Sequence, residues 1–483
     1  MRVHVVQRLL GLLLALFSLT MVPPLIVSLI FGDGGWQVFS ESLFIILIAG
    51  LLMWWPVRNE RDELRLRDGF LVVALFWIVL GLFGAAPLLL DRSLELSVTD
   101  AVFESISGLT TTGATVLVGL DSMAPSLLFY RQQLQWFGGL GIIVLAVAVL
   151  PMLGVGGMQL YRAETPGPMK DSKLTPKITQ TAKALWYVYL GITVVCALAY
   201  WLVGMSVFDA ICHSFSTVAI GGFSTHDASL GYFDSVLVEA VATIFMLIAG
   251  VNFALHFLSW KSRDVRLYFA DPELRAYLKI LLGMCAVVLV YLWWSGYYPT
   301  LTETVSRGVF QVVSVATTTG FTTAAFDSWP GSLPTLLIFS SFIGGCAGST
   351  AGGMKVVRWL LLYKQGVREI KRLVHPSAEI PVKLGDKAVS ARVVDSVWGF
   401  FAIYVVVLAT LILVLMATGL DSASAFAAVA ATLNNLGPGL GEVATGFSSV
   451  SDVAKWAAIC GMLLGRLEIF TILVLITPTF WQR

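Results

Sequence analysis

Apolar residues run along this chain in blocks of about twenty, the length that crosses a bilayer. They fall near 9–31, 37–55, 70–90, 126–153, 184–204, 235–259, 277–298, 333–362, 396–418 and 453–480. Between the later blocks lie short amphipathic runs, each started by an acidic or hydroxyl residue and each ending on a glycine-centred hexapeptide. Thr99-Asp100 leads into TTTGAT, Asp209 into AIGGFS, Thr302-Glu303 into TTTGFT and Asp421 into NNLGPG. The central glycines, Gly113, Gly222, Gly320 and Gly437, recur at a spacing of about one hundred residues, too long for a solenoid repeat but fitting a helix, a half-inserted loop and a returning helix. Asp or Thr at the start of each short run caps free amides at the positive end of a helix dipole. The runs therefore read as half-membrane helices whose C-terminal ends point at the glycine segments. Non-helical backbone at that depth is tolerated only where protein buries it or it lines water.

The pattern predicts an all-α polytopic membrane protein: four helix–pore-loop–helix units in a pseudo-four-fold arrangement, plus an N-terminal two-helix hairpin that lacks such a loop. The expected boundaries are 1–68 for the hairpin, then 69–165, 166–265, 266–375 and 376–483 for units one to four. Composition agrees, since 57% of the 483 residues are hydrophobic and only 13% charged. Arg2, His4 and Arg8 precede the first apolar block, which is too long for a signal-peptide core and has no small-x-small cleavage site, so it reads as a retained helix. The net charge of +1 says little; its placement says more. With the glycine segments on one side, only Arg92, Arg131, Arg307 and Lys455 of the 31 basic residues fall there, and the rest gather at Arg58 to Arg67, Arg162 to Lys183, Lys261 to Lys279 and Lys364 to Arg392. Basic loops stay cytoplasmic, which puts the glycine segments outside and both termini in the cytoplasm. An acidic rim on the outer side, including Asp100, Glu104, Asp121, Asp209, Asp227, Asp234, Glu239, Glu303, Asp327 and Glu442, would concentrate cations there. The five cysteines, Cys196, Cys212, Cys285, Cys346 and Cys460, are scattered without CxxC spacing and read as small buried thiols rather than a disulfide framework or metal site.

A dehydrated cation needs its water replaced by oxygen ligands, and rings of backbone carbonyls can do this. Chains that aim carbonyls from four segments at one axis need unusual φ angles, which glycine adopts freely, and flanking Thr adds hydroxyls. Units two and four depart from TTTG, so the hydroxyls of units one and three cannot be shared by all four walls. Gly344, Gly345, Gly348, Gly352 and Gly353, with Ser349 and Thr350, fall inside the second helix of unit three. Each glycine costs roughly 1 kcal/mol relative to Ala there, so a break is expected; close helix packing is the other reading. A phosphate cradle is disfavoured because no strand precedes the motif. Arg466 lies inside the last apolar block, where a charge faces a cavity or a partner. Glu468 is two residues on and does not share its face. The two readings of Arg466 are pairing with another acid and facing the pore, and in the second its charge rather than its fork geometry matters. Lys355 and Arg358 read as snorkelling to the interface, Gly138-Gly139-Leu140-Gly141 and Gly250-Val251-Asn252-Phe253 as packing residues, and His213 and Glu104 as structural.

In these motifs, and in GGCAGSTAGGMK at Gly344 to Lys355, the whole chain resembles the Trk/Ktr/HKT superfamily of potassium transporters and its bacterial TrkH-type pore subunits. The resemblance implies a potassium filter built of Thr110, Thr111, Thr112 and Gly113, Ala219, Ile220, Gly221 and Gly222, Thr317, Thr318, Thr319 and Gly320, and Asn434, Asn435, Leu436 and Gly437. Glycine at all four central positions is the potassium-preferring pattern of that family, where sodium-carrying members have Ser in the first. It also implies a gate of Gly345, Gly348, Ser349, Thr350, Gly352 and Gly353 below the filter, with Arg466 facing the path. The implied setting is the bacterial inner membrane, a homodimer in lipid, and a cytosolic ring of nucleotide-binding regulators of TrkA type on the basic cytoplasmic face. No cofactor and no nucleic-acid partner are expected; potassium is the substrate. A rocking transporter would show inverted repeats, a protease would need a base beside Ser349, and a scaffold would not need four such loops. Coupling to protons or sodium, or sodium permeation, stays open.

Overall fold

The computed structural model describes residues 3–60, 66–139, 141, 178–467 and 469–482. Leu140, the later part of the block near 126–153, the basic stretch from Arg162 to Lys173, part of the Arg58 to Arg67 cluster and Glu468 lie outside the described residues.

The N-terminal arm is Val3–Ser18 and Val22–Phe31, joined by a tight turn at Leu19–Met21 just before Pro23 and Pro24. It packs against Trp36–Trp54 through two glycines. A Cβ on Gly11 would lie 2.6 Å from Trp54 N, and one on Gly50 would lie 2.5 Å from Ala15 N, so backbone meets backbone at this crossing.

Four units follow. Their first helices are Leu66–Gly84 with Ala86–Leu90, Ile178–Leu202, Pro272–Ser295 and Ala391–Ala417. The short helices are Val98–Leu109, Val207–Ala219, Leu301–Ala316 and Ser422–Leu433. Only Asp421 caps its helix as the sequence suggested; the other caps are Ser97, Ser206 and Thr300, whose hydroxyls accept from the amides of Asp100, Asp209 and Glu303. The acids stand inside the first turn, where a carboxylate still meets the positive dipole and, for Asp100 and Asp209, accepts from the capping serine.

The second helices depart most from expectation. In unit two, Val236–Ala249 and Phe253–Ser262 meet at 90°, and in unit four Asp452–Arg466 and Ile469–Ile476 meet at 112°. In unit three, Leu333–Ser341 stops altogether and Val356–Val374 starts after a loop. In unit one, Pro125–Gly139 ends on a glycine pair. Among the described residues six helices are long and apolar enough to cross a membrane, or eight if each bent pair counts as one span, against the ten blocks read from the sequence. Hydropathy cannot register such breaks, because the residues on both sides remain apolar.

The units close on themselves. Each second helix packs against its own short helix and that of the next unit: Pro125–Gly139 on Val98–Leu109 and Val207–Ala219, Val236–Ala249 on Val207–Ala219 and Leu301–Ala316, Leu333–Ser341 on Leu301–Ala316 and Ser422–Leu433, and Asp452–Arg466 on Ser422–Leu433 and Val98–Leu109. This is the expected four-fold ring of an all-helical membrane protein.

Gly50→Val forces the hairpin crossing apart. The expected loss is about 1–3 kcal/mol, read as a lowered melting temperature in detergent, with ion preference unchanged because the crossing lies outside the ring.

Candidate functional site

Each short helix ends in the same backbone motif. The third residue of the segment donates its N–H five residues back, from Thr112 to Ser107 O (2.9 Å), Gly221 to Ser216 O (2.8 Å), Thr319 to Ser314 O (2.8 Å) and Leu436 to Ala431 O (2.8 Å). This is a Schellman-type ending, which needs a left-handed residue one place earlier. Thr111 (φ 55°), Ile220 (φ 54°), Thr318 (φ 67°) and Asn435 (φ 54°) hold that place. Three of the four are β-branched, a backbone state that costs on the order of 1–3 kcal/mol and persists only where the surroundings impose it. The central glycines are left-handed too, at φ 79°, 77°, 84° and 97° for Gly113, Gly222, Gly320 and Gly437.

The segments interlock in a cycle. A Cβ on Gly113 would overlap the carbonyl oxygen of Gly221, on Gly222 that of Thr319, on Gly320 that of Leu436, and on Gly437 it would lie 2.7 Å from that of Thr112. Each glycine therefore admits the carbonyl that stands just before the next unit's glycine, and the fourth returns to the first. All sixteen residues singled out in the four segments come together here. Gly113 and Gly222 keep partial exposure, while the Thr, Asn, Ile and Leu side chains are buried. Thr110 and Thr112 share a hydroxyl–hydroxyl bond of 2.8 Å, and Thr317 and Thr319 repeat it at 2.8 Å.

Nine residues before their glycines, the short helices of units one and two carry a brace for the outgoing chain. Glu104 accepts from Thr115 Oγ1 and Val116 N, both at 3.0 Å. His213 Nε2 bonds Ser224 Oγ at 2.9 Å. The structural reading of Glu104 and His213 thus agrees with their contacts. Glu104 also forms a buried ion pair with Arg131 at 2.7 Å. Two more of the basic residues on this face are likewise paired, Arg307 with Glu239 (2.5 Å) and Asp234 (2.7 Å), and Lys455 with Asp100 (2.6 Å). The acidic excess on this face is set against positive charge already bound within the protein.

The glycine-rich run of unit three is a loop, as expected, and it lies against the inner end of the segments. Gly352 N donates to Thr318 Oγ1 (2.7 Å), Gly353 N to Asn434 O (3.1 Å) and Thr350 Oγ1 to Val218 O (2.9 Å). A Cβ on Gly352 would overlap Asn434 O, so only glycine lets the loop approach this closely. The same loop engages the break in unit two: Cys346 N donates to Gly250 O (2.9 Å), and Phe253 N donates to Gly348 O (3.0 Å). The Gly138 and Gly250 runs, read as packing residues, are therefore also helix ends with carbonyls in use.

Arg466 donates to Thr350 O (3.2 Å), Gly139 O (2.8 Å) and Gly138 O. Its guanidinium ties the loop of unit three to the glycine pair that ends Pro125–Gly139 of unit one, so fork geometry matters and the charge-only expectation needs correction. Lys355 and Arg358 do not snorkel. Both are buried, Lys355 Nζ donates to Ala351 O, and Arg358 donates to Met354 O (3.1 Å) while lying 4.0 Å over the Phe400 ring. Glu273 is a site residue that no motif in the residue order pointed to. Its carboxylate accepts from Ala347 N (2.7 Å) and Val357 N (3.0 Å), pinning both arms of the loop from the start of the first helix of unit three.

Four re-entrant segments closed in a ring, with a loop across one end, define a pore-type membrane transport protein. The chain belongs to the TrkH family of cation transport proteins, whose family model matches residues 35–483. It is 56% identical to the Trk system potassium uptake protein TrkH of Halomonas elongata over the full length of both chains, and 43% identical to TrkG of Escherichia coli over 99% of both. The crystal structure of the potassium transporter TrkH from Vibrio parahaemolyticus superposes with a TM-score of 0.91 at 55% identity, covering all of both chains.

Glu104→Ala leaves Arg131 charged and buried without its acid, and a loss of about 3–5 kcal/mol is expected. Chemical unfolding of the purified protein should show it, and Glu104→Ala combined with Arg131→Met should recover much of it.

Proposed function

We propose that the four segments form a potassium filter, that the chain takes up potassium through it, and that the loop spanning Gly344 to Lys355 gates it. Potassium uptake is what the full-length relatives are named for. The observation that carries the filter reading is the cyclic fit of each central glycine to the next unit's carbonyl. In such a ring, backbone carbonyls replace the ion's water, and the Thr hydroxyls of units one and three contribute further oxygens. Glycine at all four positions keeps side chains out of the ring.

The gate acts beneath the filter. Gly345, Gly348, Ser349, Thr350, Gly352 and Gly353 form the obstructing stretch, and Arg466 and Glu273 hold it shut. Arg466 places a fixed cation beside the path, where the local dielectric is low and its repulsion of a potassium ion is strong. The chain is a multi-pass membrane protein; it sits in the inner membrane of a bacterium, filters outward and termini inward. The basic inner loops support that orientation. A cytosolic nucleotide-binding ring of TrkA type docks on this basic face and pulls the gate open, and two copies of the chain pair in the membrane.

Three variants test this reading in proteoliposomes. Gly113→Ser puts a side chain where Gly221 O approaches, and its potassium-over-sodium flux ratio should fall by about tenfold or more, the equivalent of 1.4 kcal/mol. An unchanged ratio would sink the filter assignment. Arg466→Gln loses charge-assisted bonds worth roughly 1.5–3 kcal/mol each, so potassium flux should rise about tenfold and depend less on the cytosolic ring. Arg466→Lys should resemble Gln rather than wild type, because one ammonium cannot span carbonyls on the loop and on the end of the unit-one helix. A stable Gln variant with wild-type, still regulated flux would remove Arg466 from the gate.

A further inference from the structure

The four filter segments are alike in backbone but not in what holds them. In units one and three the third residue is Thr, and its hydroxyl bonds the first Thr of the same segment. In unit four Asn434 Nδ2 donates to Ser341 Oγ (2.8 Å), and Asn435 Nδ2 donates to Thr112 Oγ1 (2.9 Å) and Met462 O (3.0 Å). Unit two, Ala219-Ile220-Gly221-Gly222, has no polar side chain at all. It nevertheless follows the same path, with a β-branched isoleucine in the left-handed state, and so needs its support from elsewhere.

That support is Gln135, fully buried on the second helix of unit one. Its Nε2 donates to Gly221 O at 2.6 Å, and its Oε1 accepts from Phe223 N at 3.1 Å. The two bonds straddle Gly222. A Cβ on Gly221 would collide with the amide carbon and oxygen of Gln135 and lie 2.8 Å from its nitrogen, so the amide fills the place of a third-residue side chain. Gly221 does not have a positive φ, so the amide rather than backbone conformation is what bars a side chain there. On the same helix Gln132 Nε2 donates to Phe223 O (3.3 Å) and Arg131 Nη1 to Ser224 O (3.3 Å), extending the splint along the outgoing chain.

We propose that Gln135 is a positioning residue for ion selectivity, a side chain lent by unit one to complete the filter wall of unit two. The proposal rests on the reading of the four segments as the potassium filter. A primary amide suits the role because it presents a donor and an acceptor together, whereas an ionised Glu only accepts and a Leu does neither. The Gly221 carbonyl it holds is also the one that enters the space above Gly113, so a shift there moves two of the four walls.

The test measures potassium and sodium flux, and the bi-ionic reversal potential, for the full-length chain in proteoliposomes, beside Gly113→Ser and a melting curve for each protein. Gln135→Leu and the near-isosteric Gln135→Glu should each lower the potassium-over-sodium ratio by about tenfold, the size expected when a buried carbonyl loses its donor. Gln135→Ala with Gly221→Ser returns a hydroxyl to the third place and should restore at least part of the ratio lost in Gln135→Ala alone. A purely structural role would lower the melting temperature and leave the ratio of the folded fraction unchanged. If Gln135→Leu does not fold, Gln135→Glu decides: a wild-type ratio in either folded variant overturns the proposal. Should Gly113→Ser lower the ratio while the Gln135 variants do not, only this proposal fails; should none of them move it, the filter reading fails with it.

Discussion

Each of the four central glycines has no room for a side chain because the next unit's carbonyl already occupies that space. This interlock is cyclic, so no segment can be repositioned without disturbing a neighbour. It explains the features that flank it. The short helices must end abruptly, which the left-handed residue after each one accomplishes, and three of those residues are of a type that resists the conformation. Packing of the ring imposes what local preference opposes, and segments held this way do not relax independently of one another.

The second constraint is that backbone freed from helices must find partners in a region without water. The second helices break in units two, three and four, and in unit one the described helix ends at Gly139. The groups released find partners far along the chain: Gly250 O is used by Cys346 N and Gly138 O and Gly139 O by Arg466, each from another unit, and Ala347 N and Val357 N by Glu273 within unit three. The loop of unit three is thus tied to units two and four, and through Arg466 to unit one, so that a pull on the helix after it, Val356–Val374, is felt beside the glycine segments.

Charge follows the same economy. On the face carrying the caps of the short helices, Arg131, Arg307 and Lys455 are each bound to acids within the protein, two of these pairs anchoring chain that leaves the glycine segments, at Thr115 and Thr323. Other acids of that face, such as Asp227 and Glu303, remain exposed and free to attract cations.

Much of this was legible in the residue order. The period of the glycines, the amphipathic short helices, the apolar blocks and the crowded glycines of unit three are local properties, set by φ preference, capping and hydropathy, and they determined the unit count, the ring and the loop. The breaks in units two and four were not legible, because a helix that bends between apolar residues keeps its hydropathy. Nor were the partners of buried polar groups. Arg466, open in the sequence to pairing with another acid or to facing the pore, binds carbonyls on the loop and on unit one, and no local pattern singles out Glu273 or Gln135. What each of these side chains does depends on which backbone groups a distant segment leaves unpaired at the same depth. That follows only from how the helices dock, since a hydrogen bond between residues more than eighty places apart leaves no trace in the local pattern of either.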